Sequence, residues 1–320
     1  MNFNYKTINE AYKKIKELIV KTPLVTNDYI NELVKAEVYF KLENLQITGS
    51  FKLRGATHKI SILRNEINNS GVVAYSSGNH AQAVAYAARQ QNISAKIIMP
   101  KNAPKIKIQN TINYGANIIL YDSFFESREK IANDIKEKEK RFLIKPYDDY
   151  DIIAGQGTVG IEISEQLKKL SIKPDVYLCC CGGGGLIAGT STYLLHEFPN
   201  IKSYSVEPKG FDDTKISLEN KKLLANQSNS KSICDALLAP MPGNITFPIN
   251  LKNLEGGISV SDIEVKKTII LLSEHLKIVV EPGGAVAAAA LLFNKINIKN
   301  KKVVVMISGG NIDLELFKSL

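Results

Sequence analysis

The stretch VYLCCCGGGGLIAG (residues 176–189) sets the reading of the whole chain. An apolar run leads into four consecutive glycines and then into residues of helical character. Glycine reaches positive φ without steric cost and lets backbone N–H groups come close to an anion. The N-terminus of the following helix adds aligned donors and the positive end of a dipole. Strand, glycine loop and helix in that order describe a phosphate cradle in an α/β protein. A plain turn needs one or two glycines and leaves the others without a reason.

Working outward, short β-branched runs alternate with longer helical patterns. The expected strands are 38–42, 72–76, 96–99, 117–120, 176–180, 203–207 and 303–307. Between them lie amphipathic segments such as NHAQAVAYAARQQ (79–91) and DIIAGQGTVGIEISEQLKKL (151–170). Strands separated by helix-length spacers predict parallel sheets with crossover helices, hence an α/β class. Continuous apolar strands predict sheets covered on both faces. The strand count suits two sheets, with a crossing between lobes near KPYDDYD (145–151), and residues 220–235 read as a polar connection.

Composition narrows the function. The chain has 320 residues, 44% of them apolar, 23% charged, with a formal charge of +9. Its basic residues are scattered and mixed with acids, as in ESREKIANDIKEKEKR (126–141), which alternates sign like a solvated helix, so no nucleic-acid partner is expected. The longest apolar run, AVAAAALLF (285–293), is far too short to span a bilayer, so no membrane partner is expected either. The N-terminus reads as neither signal nor transit peptide, and cytoplasmic localisation is expected. Of the four cysteines, Cys179, Cys180 and Cys181 are consecutive. Neighbouring strand residues point to opposite faces, so these three read as small core residues in a reducing compartment.

Three more loops carry glycines beside polar groups. In SSGNHAQAVAYAA (76–88), Ser77, Gly78, Asn79 and His80 present donors at a helix N-terminus, which suits either a bound carboxylate or an ordinary helix cap. In VVVMISGGNIDL (303–314), Ser308 follows a buried strand, where a hydroxyl serves either a ligand or a local turn. EPGGAVAAAA (281–290) opens a close-packing helix and reads as mainly structural, with Glu281 a further site candidate. His58, His196 and His275 have no companion ligands.

The glycine loop alone leaves the cofactor open. Gly183-x-Gly185-x-x-Ala188 also satisfies a dinucleotide fingerprint, with Glu207 ending the next strand, and so supports an NAD-dependent oxidoreductase. That reading has no use for Lys52 in TGSFKLRGA (48–56), for the residues 77–80, or for Ser308. Pyridoxal phosphate uses them all: a phosphate cradle, a lysine, a ring-nitrogen partner and a site for the substrate carboxylate. A lysine in the first turn of a helix beside an aromatic ring is also deprotonated more easily.

TGSFKLRGA, SSGNH, ESRE, AGQGT, GGGGLIAG and SGGN occur in this order over nearly the whole chain. In this the sequence resembles serine and threonine dehydratases and serine racemases, which are fold-type II pyridoxal phosphate enzymes. The resemblance implies two open parallel-sheet α/β domains of the tryptophan synthase beta-like kind, with the cofactor in the cleft between them. Residues 1–68 and 149–320 would form the large domain and 69–148 the small one, in a homodimer. It implies Lys52 as the lysine that bonds the cofactor and Phe51 as its neighbour. Asn79 would meet the phenolic oxygen, Gly182, Gly183, Gly184 and Gly185 the phosphate, and Ser308 the ring nitrogen. Ser77 matches the serine that handles a proton on the face opposite the lysine. Ser76, Ser77, Asn79 and His80 lie where the substrate carboxylate is held, and Arg128 matches an arginine near the substrate. EPKGFDD (207–213) resembles a divalent-cation loop, with Glu207, the Phe211 carbonyl and Asp213 as ligands for Mg²⁺ or Ca²⁺.

The expected reaction is β-elimination from L-threonine or L-serine, giving a 2-oxo acid and ammonia. Hydroxyaspartate dehydratase and serine racemase are the alternatives. Ala81, Ala236 and Ala239 depart from the family pattern, the last replacing a serine found in racemases, and they favour the dehydratase. No regulatory domain is expected after the final SGGN segment.

Overall fold

A computed structural model describes residues 3–67, 70–226 and 230–320. The elements run, in chain order, α1 (Tyr5–Ile15), β1 (Leu24–Val25), α2 (Asp28–Val34), β2 (Glu37–Leu42), α3 (Lys52–Ile67), β3 (Val72–Tyr75), α4 (Asn79–Gln90) and β4 (Ala95–Pro100). Then come α5 (Lys105–Asn113), β5 (Asn117–Tyr121), α6 (Arg128–Glu139), β6 (Phe142–Leu143), α7 (Tyr150–Lys169), β7 (Val176–Cys180), α8 (Gly185–Glu197) and β8 (Lys202–Pro208). The chain closes with α9 (Asp213–Asn220), α10 (Thr246–Asn253), β9 (Leu254–Val260), α11 (Asp262–His275), α12 (Pro282–Leu292), β10 (Lys302–Ile307) and α13 (Leu314–Lys318).

Two sheets form, as expected. The larger has the order β1-β2-β10-β7-β8-β9, parallel except for β1; the smaller has β5-β4-β3-β6, parallel throughout. Every expected strand is present. Three were missed. β1 and β6 have two residues each, too few to show a period. β9 carries Gly256 and Gly257 and pairs with β8 through an irregular register, so it lacks a strand's composition. The expected domain boundary at 68–69 lies outside the described residues, as does 227–229 of the polar connection.

The topology brings the loops together. β10 lies in register between β2 and β7, all three parallel, so their carboxyl ends reach one edge of the sheet. Val303, Val304 and Val305 are fully buried because both faces of the sheet are covered. The segment before α3 is then tied to the end of β10: Ser50 bridges Gly309, and the Phe51 amide donates to the Ser308 carbonyl at 3.1 Å.

Beneath α3 sits a buried ionic cluster. Arg54 donates to Glu43 at 2.7 Å and to Glu162 of α7 at 2.8 Å, and Lys41 of β2 donates to Glu162 at 2.7 Å. All four side chains are fully buried. Two cations and two anions share their hydrogen bonds, which compensates the desolvation each would suffer alone. The cluster fixes α3, and with it Lys52, against α7 and β2.

Candidate active site

A cavity of about 310 Å³ opens between the carboxyl ends of the two sheets. It gathers Phe51, Lys52, Ser76, Ser77, Asn79 and His80 from the front half of the chain. Arg128, Gly182, Gly183, Gly184, Gly185 and Ser308 complete the set. Glu207, Phe211 and Asp213 do not line it.

Lys52 is the first residue of α3. Its amine donates to the Pro146 carbonyl at 2.8 Å and lies 5.1 Å from the centre of the Phe51 ring. Burial pushes this amine down to about 8, opposed by the nearby Cys180 thiol and Glu281 carboxyl. Burial has this effect because the ammonium loses solvation that the neutral amine hardly needs.

The glycine loop is built as a cradle. Gly184 has φ +87°, a backbone conformation that side chains disfavour, and a Cβ at Gly183 would lie 2.3 Å from the Tyr147 ring. Thr246 donates to the Gly183 carbonyl at 2.6 Å and Asn250 to that of Gly184 at 3.3 Å, turning the carbonyls away. Among the described residues, no acceptor takes the amides of Gly183, Gly184 or Gly185. They open α8, whose dipole adds positive potential.

The α4 end is partly self-satisfied. The Ser76 hydroxyl accepts from the Gly78 amide at 3.1 Å, a local turn, whereas among the described residues the Ser77 hydroxyl has no partner. His80 Nε2 lies 2.9 Å from the Ile144 carbonyl, so that nitrogen carries the proton. Burial, reinforced by Lys52, drives the His80 imidazole down to about 3 and keeps it neutral. Asn79 donates to Glu281 and accepts from Asn311 Nδ2 at 2.8 Å. Ser308 is 4% exposed at the end of β10. Arg128 opens α6, pairs with Glu129 at 2.8 Å and lies 5.4 Å from the Tyr75 ring centre.

Several cavity residues had given little or no signal. Tyr147 and Gln156 sat in segments read only for connection or resemblance. Lys107 and Asp235 belonged to no motif, yet their side chains meet at 2.5 Å. Glu281 proves to be a cavity carboxylate and no mere opening to a structural helix. Cys180 and Cys181 are buried and free, and both also face the cavity. His58, His196 and His275 stay outside it; the last two stack on Tyr5 and Tyr29.

Glu207 overturns its part in the dinucleotide reading. It is fully buried, and its two oxygens accept from the Thr214 and Lys215 amides at 2.8 Å each. It cannot reach a ribose over the glycine loop. Beside it, Asp213 accepts from Asn226 at 2.6 Å and, among the described residues, has one buried oxygen without a hydrogen bond. Among the described residues no three or more His, Cys, Asp or Glu side chains converge as a metal cluster, and no helix is long and apolar enough to cross a membrane.

Residues 15–309 match the pyridoxal-phosphate dependent enzyme family. The chain belongs to that family. It is 41% identical to a serine racemase of Dictyostelium discoideum over 97% of this chain and 95% of that one. It is 38% identical to a catabolic L-threonine dehydratase of Escherichia coli, over 96% and 92%. The solved structure of maize serine racemase superposes with a TM-score of 0.93 at 35% identity, covering 100% of this chain and 97% of that one. The fold is therefore that of the fold-type II, tryptophan synthase beta-like enzymes.

The residues present fit pyridoxal phosphate. The glycine amides await an anion, and a Cβ at Gly183 or Gly185 would fill the cradle. Among the described residues, two buried cavity atoms, Gln156 Oε1 and Glu281 Oε2, lack hydrogen-bond partners. The deprotonation-prone amine of Lys52 stands in the same wall.

Proposed function

We propose that this pyridoxal-phosphate dependent enzyme is an ammonia-lyase that eliminates water from L-threonine, L-serine or both. The observation that carries the proposal is the buried amine of Lys52 in one cavity with an acceptor-free glycine cradle and the N-terminus of α4.

In this reading Lys52 bonds the cofactor, and the amides of Gly182 to Gly185 hold its phosphate. Ser308 faces the ring nitrogen, Asn79 the phenolic oxygen, and Phe51 packs alongside. When bound, pyridoxal phosphate supplies an electron sink for the pair left at Cα. Ser76, Asn79, His80 and the positive end of α4 hold the substrate carboxylate, with the neutral imidazole keeping that corner in place. Once the substrate's amine has displaced it from the cofactor, the freed Lys52 amine takes the Cα proton as general base. The β-hydroxyl leaves as water by taking up the proton that Lys52 removed from Cα, and the enamine product hydrolyses to a 2-oxo acid and ammonia. Ser308 offers a hydroxyl where a carboxylate would hold the ring nitrogen protonated, which disfavours a long-lived carbanion and favours prompt loss of the β-hydroxyl. The enzyme works as a cytoplasmic homodimer, with residues 1–68 and 149–320 as the cofactor domain and 69–148 as the substrate domain.

Ser77 supports racemisation of serine as a second reading, because its free hydroxyl lies in the cavity wall. Ala236 and Ala239, also in that wall, provide no hydroxyl to hold a serine substrate. Arg128 at the rim supports 3-hydroxyaspartate as a third substrate.

Borohydride reduction of the holoenzyme should leave the cofactor's mass on the Lys52 peptide; its absence there refutes the reading. Assays of 2-oxo acid from threonine, serine and 3-hydroxyaspartate, side by side, then rank the substrates. Serine yielding its D-isomer and no pyruvate would replace the lyase with a racemase.

A further inference from the structure

The cavity contains a carboxylate for which elimination has no direct use. Glu281 precedes α12 and is 1% exposed. Its Oε1 accepts from Asn79 Nδ2, and Lys107 Nζ stands 3.7 Å from its Oε2. Lys107 comes from α5, on the side of the smaller sheet, and also pairs with Asp235 at 2.5 Å. Burial raises the Glu281 carboxyl to about 7, and the Lys107 cation opposes that rise.

Asn79 is gripped from the other side as well. Its Oδ1 accepts from Asn311 Nδ2 at 2.8 Å, and the same amide donates to the Thr48 carbonyl at 2.9 Å. A primary amide carries two N–H donors and one carbonyl oxygen. With the carbonyl turned to Asn311 and one N–H on Glu281, the remaining polar group is an N–H.

Two glycines make room for this clamp. A Cβ at Gly309 would lie 2.1 Å from Glu281 Oε1, and one at Gly49, where φ is +71°, would lie 2.5 Å from Asn311 Oδ1. The glycines of TGSFKLRGA and SGGN thus accommodate the partners of Asn79.

We infer that Glu281, charge-balanced by Lys107, is a positioning residue that sets the Asn79 amide so that the cavity meets an N–H donor. Such a donor suits an anionic oxygen on an aromatic ring, here the phenolic oxygen of pyridoxal phosphate, so the inference rests on the proposed cofactor placement. In its ionised form, which the Lys107 cation favours, the carboxylate can only accept, and this keeps the amide from turning its oxygen inward.

The test is a double-mutant cycle on Glu281→Leu and Asn79→Ala, with Glu281→Gln as a milder variant. Apo-proteins are titrated with pyridoxal phosphate, absorption spectra of the loaded forms are recorded, and unfolding midpoints check that each variant is folded. Each single variant should weaken cofactor binding about tenfold, the worth of one hydrogen bond to a charged group. Each should also exchange part of the long-wavelength band for the shorter-wavelength band of the protonated phenol, Glu281→Gln less so. The double variant should be no worse than Asn79→Ala alone. Additive losses, or Glu281 variants with the wild-type spectrum while borohydride still fixes the cofactor on Lys52, overturn the positioning role and leave the proposed function standing. Failure of wild type to fix the cofactor on Lys52 overturns that function, and this inference with it.

Discussion

Lys52 Nζ and the Pro146 carbonyl oxygen, 94 residues apart in the chain, lie 2.8 Å from each other. The bond links the first turn of α3 to the segment that leads into α7, and it holds the amine in the cavity wall. Burial there lowers the amine to about 8, so roughly a tenth of it is neutral at pH 7, against well under a thousandth at the ordinary lysine value.

Capture of pyridoxal phosphate by the apo-protein should therefore accelerate as pH rises and level off above about 8. Borohydride-trapped mass on Lys52, measured at short times across pH, reads this directly. A midpoint near the ordinary 10.5 of lysine would show that burial does not govern the amine.

Gly183→Ala tests the cradle. The new methyl would sit 2.3 Å from the Tyr147 ring, which must be displaced from the cavity wall. Cofactor affinity should fall at least about fivefold, in keeping with the roughly 1–3 kcal/mol cost of overpacking. Unchanged affinity in a fluorescence titration would place the phosphate elsewhere.

Arg128→Ala separates the substrates. Loss of a charge-assisted contact worth about 1.5–3 kcal/mol should lower kcat/KM for 3-hydroxyaspartate by roughly ten- to a hundredfold. Threonine turnover should change less than about threefold. Equal losses on both would make Arg128 a residue that shapes the site through Tyr75 and Glu129.

Glu162→Gln probes the ionic cluster under α3. It leaves Arg54 and Lys41 without the carboxylate they share, and removing one partner of a buried ion pair costs roughly 3–5 kcal/mol. Denaturant unfolding should show that loss. A change below about 1 kcal/mol would mean that the cluster relaxes or hydrates at little cost.

The acids at the end of β8 and the start of α9 would suit a cation. Glu207 and Asp213 are both fully buried, and Asp213 keeps one oxygen without a hydrogen bond. Chelator-treated protein should gain unfolding temperature on addition of Mg²⁺ or Ca²⁺, and Asp213→Asn should abolish the gain. No shift in wild type with either ion would remove the metal from this loop.

The parallel strands, the glycine cradle and the helix start at Lys52 were legible because each is local. Glycine runs, β-branched runs and helical periods act over a few neighbouring residues. The short strands β1 and β6 carried too few residues for a period, and β9 was hidden by Gly256 and Gly257. Glu207 was legible as an acid at a strand end, but the start of α9 decided that it faces backbone amides and not the glycine loop.

By itself the sequence determined the fold class, the order of the loops and the residues that could serve pyridoxal phosphate. Only the tertiary structure decided what those residues touch. Placing β10 between β2 and β7 brings Lys52, Gly183 and Ser308 to one edge. Crossing from α5 to α12 sets Lys107 beside Glu281, and Glu281 beside Asn79. The Asn79–Glu281 pairing alone joins positions 202 residues apart, and no local pattern encodes such pairings. They depend on packing, burial and charge balance across the cavity.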